Sequence, residues 1–194
     1  MEAIESGTLA GMGSFRCESC GFLVNLSIQD EVPTCPGCGG NRFERASLFG
    51  QAHSFEGRPW PDTAPDDLGW LEEARRSITQ PGQYLIFEAD RDRIDIVPLN
   101  AEWTRIGRSL AADVRFDDPT VSRRHALIVR QPDGVRVLDD RSLNGVFVNG
   151  ERVEWSVLGD GDEILVGRHS LRFVDVIEVA DAPVNVGGPA ELAS

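Results

Sequence analysis

From Tyr84 to Val174 the chain alternates short apolar runs with turn signals. His125-Ala126-Leu127-Ile128-Val129 is one such run, and Asp90-Arg91-Asp92, Gln131-Pro132-Asp133-Gly134, Asn149-Gly150 and Asp160-Gly161 punctuate the series. Short strands at this regular spacing predict an all-β sandwich over residues 81–176. Upstream, residues 48–80 form a connector rich in Pro, Gly and Asp that contains one helical pattern, Asp66 to Ile78. Asp66 or Asp67 can cap it, Glu72 and Glu73 lie early, and Arg75 and Arg76 lie late, as the helix dipole favours. Leu68, Leu71, Arg75 and Ile78 fall on one side, with Trp70 and Ala74 adjacent. The expectation is a helix packed on the sandwich; the alternative is a docking helix for a partner. Within residues 13–47, Val24, Leu26 and Ile28 alternate with Asn25 and Ser27 as one strand of a hairpin would. Residues 1–12 read as a flexible tail and 177–194, rich in Ala, Pro, Val and Gly, as a disordered one. The polar connector predicts that the small N-terminal unit and the sandwich share few contacts.

The four cysteines, Cys17, Cys20, Cys35 and Cys38, form two C-x-x-C pairs with fourteen residues between them. Each pair is followed by glycine, Gly21 and Gly39, which relieves strain where a tight turn aims backbone N–H groups at thiolate sulfurs. The segment resembles a zinc ribbon, which implies a closed structural Zn²⁺ site without an open coordination position. The knuckles Cys17-Glu18-Ser19-Cys20-Gly21 and Cys35-Pro36-Gly37-Cys38-Gly39 also resemble rubredoxin-type sites, in which Fe in the same sulfur cage carries electrons. A disulfide pair or a free redox motif is the third reading. So small a unit needs its metal to supply folding energy.

Three motifs in the sandwich carry polar chemistry where strands break into loops. Gly107-Arg108 ends one apolar run, Ser122-Arg123-Arg124-His125 follows, and Ser142-Leu143-Asn144-Gly145 comes after two more runs. An arginine fork, a hydroxyl and a carboxamide suit a phosphorylated residue and the backbone beside it. Asp113-Val114-Arg115-Phe116, Phe147-Val148-Asn149-Gly150 and the stretch from Leu158 to Gly167 frame these loops. Together, in this order and spacing, the motifs resemble the forkhead-associated (FHA) domain, a phosphothreonine-binding module. The resemblance covers about half the chain. It implies a mainly β protein, an FHA-type antiparallel β-sandwich behind a small four-cysteine ribbon. It also implies roles: Arg108 as main phosphate ligand, Ser122 as hydroxyl donor, Arg123 as second contact and Asn144 on the ligand's backbone. Gly107, His125 and Gly145 are expected to be structural in the loops, Arg124 a surface charge and Asn149 a turn residue. Many family members have threonine at the positions of Leu143 and Val146. Leu143 has no hydroxyl, so its contact is missing or falls to the backbone.

Composition narrows the functional field. The formal charge of −13, with arginine and no lysine as the strong bases, disfavours nucleic acid and anionic lipid. Screening beyond ~8 Å still leaves a local arginine pocket free to act. No run reaches the ~18 apolar residues of a membrane helix, and the acidic N-terminus lacks a signal-peptide core, so a cytoplasmic protein is expected. No nucleophile–base pair, Walker loop or open metal site is seen, so no enzyme is expected. The leading reading is a signalling adaptor that docks a threonine-phosphorylated protein, a Ser/Thr kinase or its substrate, with the structural metal-binding ribbon as a second interaction module that holds another partner or braces the first. A rubredoxin-like electron carrier docked by phosphorylation and a transcription-associated ribbon regulator are the alternatives.

Overall fold

The computed structural model describes residues 3–46, 69–89 and 93–177. The N-terminal unit is a four-stranded antiparallel sheet of β1 (Ile4–Glu5), β2 (Gly13–Cys17), β3 (Leu23–Leu26) and β4 (Arg42–Arg45), in the order β1-β4-β2-β3. β3 is therefore an edge strand. Its buried residues, Val24 and Leu26, face the unit's core with Phe15, Phe22 and Phe43, while Ile28 lies past the strand's end and is exposed. The pairing of Ile4 with Phe43 and the bridge from Leu9 to Glu31 correct the expected tail: the ribbon sheet begins near Ile4, not Gly13.

After helix α1 (Gly69–Ser77), two sheets build the sandwich. Their strands are β5 (Gly82–Ala89), β6 (Arg93–Pro98), β7 (Trp103–Gly107), β8 (Val114–Arg115), β9 (Ala126–Gln131), β10 (Gly134–Asp139), β11 (Val146–Val148), β12 (Glu151–Val153), β13 (Trp155–Val157), β14 (Glu163–Val166) and β15 (His169–Val176). One sheet runs β13-β10-β9-β7-β8 and the other β12-β11-β14-β15-β5-β6. All pairings are antiparallel except the short contact of β7 with β8. Leu85, Phe87, Ile106, Ile128, Val137, Val146, Ile164, Val166, Leu171 and Phe173 fill the space between the sheets.

The six-stranded sheet is buried on its outer face as well. Alternate residues of β5 and β15, Ile86 and Val174, pack under Leu71, Ala74 and Ile78 of the helical segment. The helix thus lies on its own sandwich, as expected. Arg75 leaves the apolar stripe to pair with Asp160 at 2.6 Å, and Ala74 takes the buried place. The expected caps Asp66 and Asp67, and Leu68, lie outside the described residues.

At the other end of this face, Phe147 of β11 and Leu165 of β14 join the ribbon's apolar cluster. This overturns the expectation of few shared contacts. Period-2 alternation puts Val146 and Val148 inside the sandwich and leaves Phe147 pointing out, so the ribbon must cover it.

The loops at this end are braced by two buried ionisable side chains. His125 is fully buried; its Nδ1 accepts the Ser122 N–H at 3.0 Å, and its Nε2 lies 3.1 Å from the Gly145 carbonyl. That pattern is the neutral ring with hydrogen on Nε2, and burial holds its pKa below the ordinary value. Asp118 accepts the Thr120 N–H at 2.8 Å and the Thr120 hydroxyl, and it pairs with Arg168. Burial opposes its ionisation. The His169 ring 3.5 Å away, bonds from Thr120 and the Arg168 charge outweigh burial and hold it at about 2.

Phe147→Ala should lower stability by about 3–5 kcal/mol. It should also raise amide exchange in β2–β4 as well as in β11. Loss confined to the sandwich would show that the ribbon is not seated on this residue. Acid should act in two stages. Above 6.5 the neutral His125 costs nothing; below it the unfolded chain takes a proton that the folded ring refuses, so stability falls. Asp118 adds about 2 kcal/mol that is present above 3.8 and lost as the pH falls toward 2. Urea titrations across this range check both stages, and Asp118→Asn should remove the lower one.

Candidate functional site

The three loops meet at one end of the sandwich through backbone bonds. The Arg108 N–H donates to the Ser122 carbonyl at 2.9 Å, and the Ser109 N–H donates to the Arg123 carbonyl at 3.2 Å. A Cβ on Gly107 would collide with the Arg123 carbonyl oxygen and lie 3.0 Å from that of Ser122. Only glycine lets the strand end and the serine loop approach this closely. On the third loop, the Leu143 N–H donates to Ser122 Oγ at 3.1 Å. The Leu143 side chain is exposed, so this position contributes its backbone. The Gly145 N–H donates to Ser142 Oγ at 2.8 Å and the Gly145 carbonyl faces His125, so this glycine is held from both sides.

The polar groups at the surface of this cleft are of the kinds the sequence pointed to. The Arg108 side chain is 14% exposed, and Ser122 keeps its hydroxyl hydrogen to give while its oxygen accepts from Leu143. Arg123 is exposed beside them. Arg124 points elsewhere, forming a two-bond pair with Asp140 at 2.7 and 2.6 Å on the surface. Asn149 closes the turn between β11 and β12, bonded to Asp162 and to the Glu163 N–H.

The cleft is occupied by the ribbon's edge. Asn144 Oδ1 accepts the Leu23 N–H at 2.9 Å, and its Nδ2 donates to the Leu23 carbonyl at 2.7 Å. The Asn25 N–H donates to the Pro119 carbonyl at 2.7 Å, and Arg108 Nη1 donates to the Asn25 carbonyl at 2.8 Å. Asp30 Oδ2 lies 3.6 Å from the same Arg108 nitrogen. Sequence reasoning missed Leu23, Asn25, Asp30 and the buried brace Asp118. The brace had a local signal: an aspartate two residues before Thr120 is a turn that bonds its own backbone.

The four cysteine sulfurs all lie within 4.8 Å of one another, with Cys17 and Cys38 3.6 Å apart and Cys20 and Cys35 3.5 Å apart. Tetrahedral bonds of ~2.3 Å place sulfurs ~3.8 Å apart, so the set fits a four-thiolate metal ion. The Gly21 and Gly39 N–H groups close the two knuckles onto the Cys17 and Cys35 carbonyls at 2.9 and 2.8 Å. Burial pushes the Cys20 thiol up to about 11 and the Cys35 thiol higher still. Burial opposes ionisation at Cys17 too, but backbone bonds at Cys20 and Ser19 outweigh it and hold that thiol below its ordinary value; a bound cation would favour the thiolate form of the whole set.

Parts of this chain are similar to known families and proteins. Residues 104–167 match the FHA domain family and residues 1–47 match a zinc-ribbon containing domain. The oxoglutarate dehydrogenase inhibitor of Corynebacterium jeikeium is 47% identical over 77 residues, 40% of this chain and 54% of that protein. The glycogen accumulation regulator GarA of Mycobacterium tuberculosis is 40% identical over 86 residues, 44% of this chain and 53% of that one. The chain therefore spans about half the length of these relatives. A structure of Mycobacterium tuberculosis EmbR with a low-affinity phosphopeptide is 33% identical, with a TM-score of 0.46, over 58% of this chain and 30% of that one. The chain thus carries a match to the FHA domain family over residues 104–167, behind a match to a zinc-ribbon containing domain over residues 1–47.

Proposed function

We propose that this protein is a non-catalytic, cytoplasmic adaptor that binds threonine-phosphorylated proteins in Ser/Thr kinase signalling, with Zn²⁺ in its ribbon. One observation carries the reading: beside Ser122, Arg108 and Asn144 grip an extended backbone by its N–H and carbonyl groups. An extended phosphopeptide offers the same backbone groups and adds a phosphate of about −1.5 to −2 charges. Arg108 holds that phosphate with its planar fork, Ser122 donates its hydroxyl, and Arg123 adds a second contact. Asn144 fixes the peptide's direction by bonding its backbone, as it does with Leu23. The partner is a kinase or a kinase substrate. The relatives' names, a regulator and an enzyme inhibitor, support a role that acts through binding. Among the described residues, no helix is long and apolar enough to cross a membrane.

Arg108→Ala should abolish binding of a degenerate phosphothreonine peptide library while leaving the fold intact. Loss of a charge-assisted, two-bond contact costs at least ~1.5–3 kcal/mol. Isothermal titration of both proteins is the check, and equal affinity would overturn the assignment. The purified protein should carry one zinc per chain and be colourless by absorption spectroscopy. Visible charge-transfer bands would assign iron to the cage instead.

A further inference from the structure

We infer that the edge of β3 is an internal ligand of the cleft, and that a phosphorylated partner binds only by displacing it. The inference rests on the reading of the cleft as a phosphopeptide site. β3 is the edge of its sheet, so alternate residues present unpaired N–H and carbonyl groups outward. The outward residues are Leu23 and Asn25, and their four backbone groups are all taken by the sandwich loops. Asn144 takes both groups of Leu23, Pro119 accepts the Asn25 N–H, and Arg108 donates to the Asn25 carbonyl. Asn144 is 3% exposed, and its carboxamide is committed to Leu23 and to the Thr120 carbonyl. It cannot bond an incoming backbone until Leu23 leaves.

The contact also discriminates. The ribbon is tethered to the cleft, so an unphosphorylated segment offering only backbone groups competes against a high effective concentration. Asp30 gives the internal ligand one carboxylate, 3.6 Å from Arg108 and beyond hydrogen-bond reach. A phosphate brings more charge and three acceptor oxygens to the same guanidinium. Phosphate is therefore the feature by which a partner outcompetes the ribbon. The occupied cleft lowers apparent affinity by the fraction of molecules in which it is open.

Arg108 and Asn144 serve both ligands, so variants there cannot separate the two roles. The ribbon edge can. Leu23→Pro removes one outward N–H and no bond of the β2–β3 pairing, because Leu23 opposes Arg16 with its N–H turned to Asn144. A degenerate phosphothreonine peptide library should bind this full-length variant roughly five- to tenfold tighter than the unaltered protein. Amide hydrogen exchange on the unaltered chain needs no variant. Leu23 and Asn25 should be protected in the free protein and exchange faster when the library saturates it. Binding that leaves both amides protected, or equal affinity of a folded Leu23→Pro chain, would overturn the internal ligand and leave the phosphopeptide reading standing. Failure of both proteins to bind the library would overturn that reading and the internal ligand with it.

Discussion

The outer face of the six-stranded sheet has to be covered, and most of the molecule's arrangement follows. Val146-Phe147-Val148 and Ile164-Leu165-Val166 are apolar at every position, so whichever face each strand turns inward, a large side chain is left on the other. Exposing Phe147 and Leu165 would forfeit about 1.5–3 kcal/mol for each. Helix α1 covers the same face over β5 and β15, and the ribbon covers β11 and β14. Once the ribbon sits there, its edge strand lies against the three loops. The apolar seat thus brings Leu23 and Asn25 to Asn144 and Arg108.

The two kinds of contact differ in how readily they are exchanged. At the cleft, polar backbone groups of β3 meet polar loop groups, and an incoming extended chain can offer the same partners. Breaking those bonds is nearly neutral when replacements are at hand, and costly only when a buried group is left alone. The apolar seat has no such replacement. Phe147 and Leu165 lose their cover outright if the ribbon lifts away. The cleft can therefore exchange ligands at modest cost while the seat keeps the ribbon close, which sustains its effective concentration.

Much of this was legible in the sequence. The turn signals mark the strands, the cysteine spacing marks the four-sulfur cluster, and the loop motifs point to Arg108, Ser122 and Asn144, which lie together at one end of the sandwich. The polar connector suggests separable units, whereas the apolar triplets carry the signal for the contact between them. A strand half-exposed to water reads as alternation; Val146-Phe147-Val148 reads as burial on both faces. The helix seat over Ile86 has the same signature in Leu85-Ile86-Phe87. The occupied cleft was not readable at all. Backbone groups of Leu23 and Asn25 carry the contact, and backbone groups leave no trace in residue identity.

A consequence for the metal follows from the shared cluster. The ribbon's core of Phe15, Phe22, Val24 and Phe43 is continuous with Phe147 and Leu165, and the thiolates of Cys17 and Cys35 lie against the same apolar residues. A unit of this size draws much of its folding energy from metal ligation. That energy therefore reaches past the cage: it holds β3 as a strand, keeps the edge presented to the loops, and shields the sandwich's outer face. Metal, sheet and cleft are linked through one body of packing. The cysteines are connected to Arg108 through this packing and not by a bond: Arg108 Nη1 meets Asn25 and Asp30 of the ribbon.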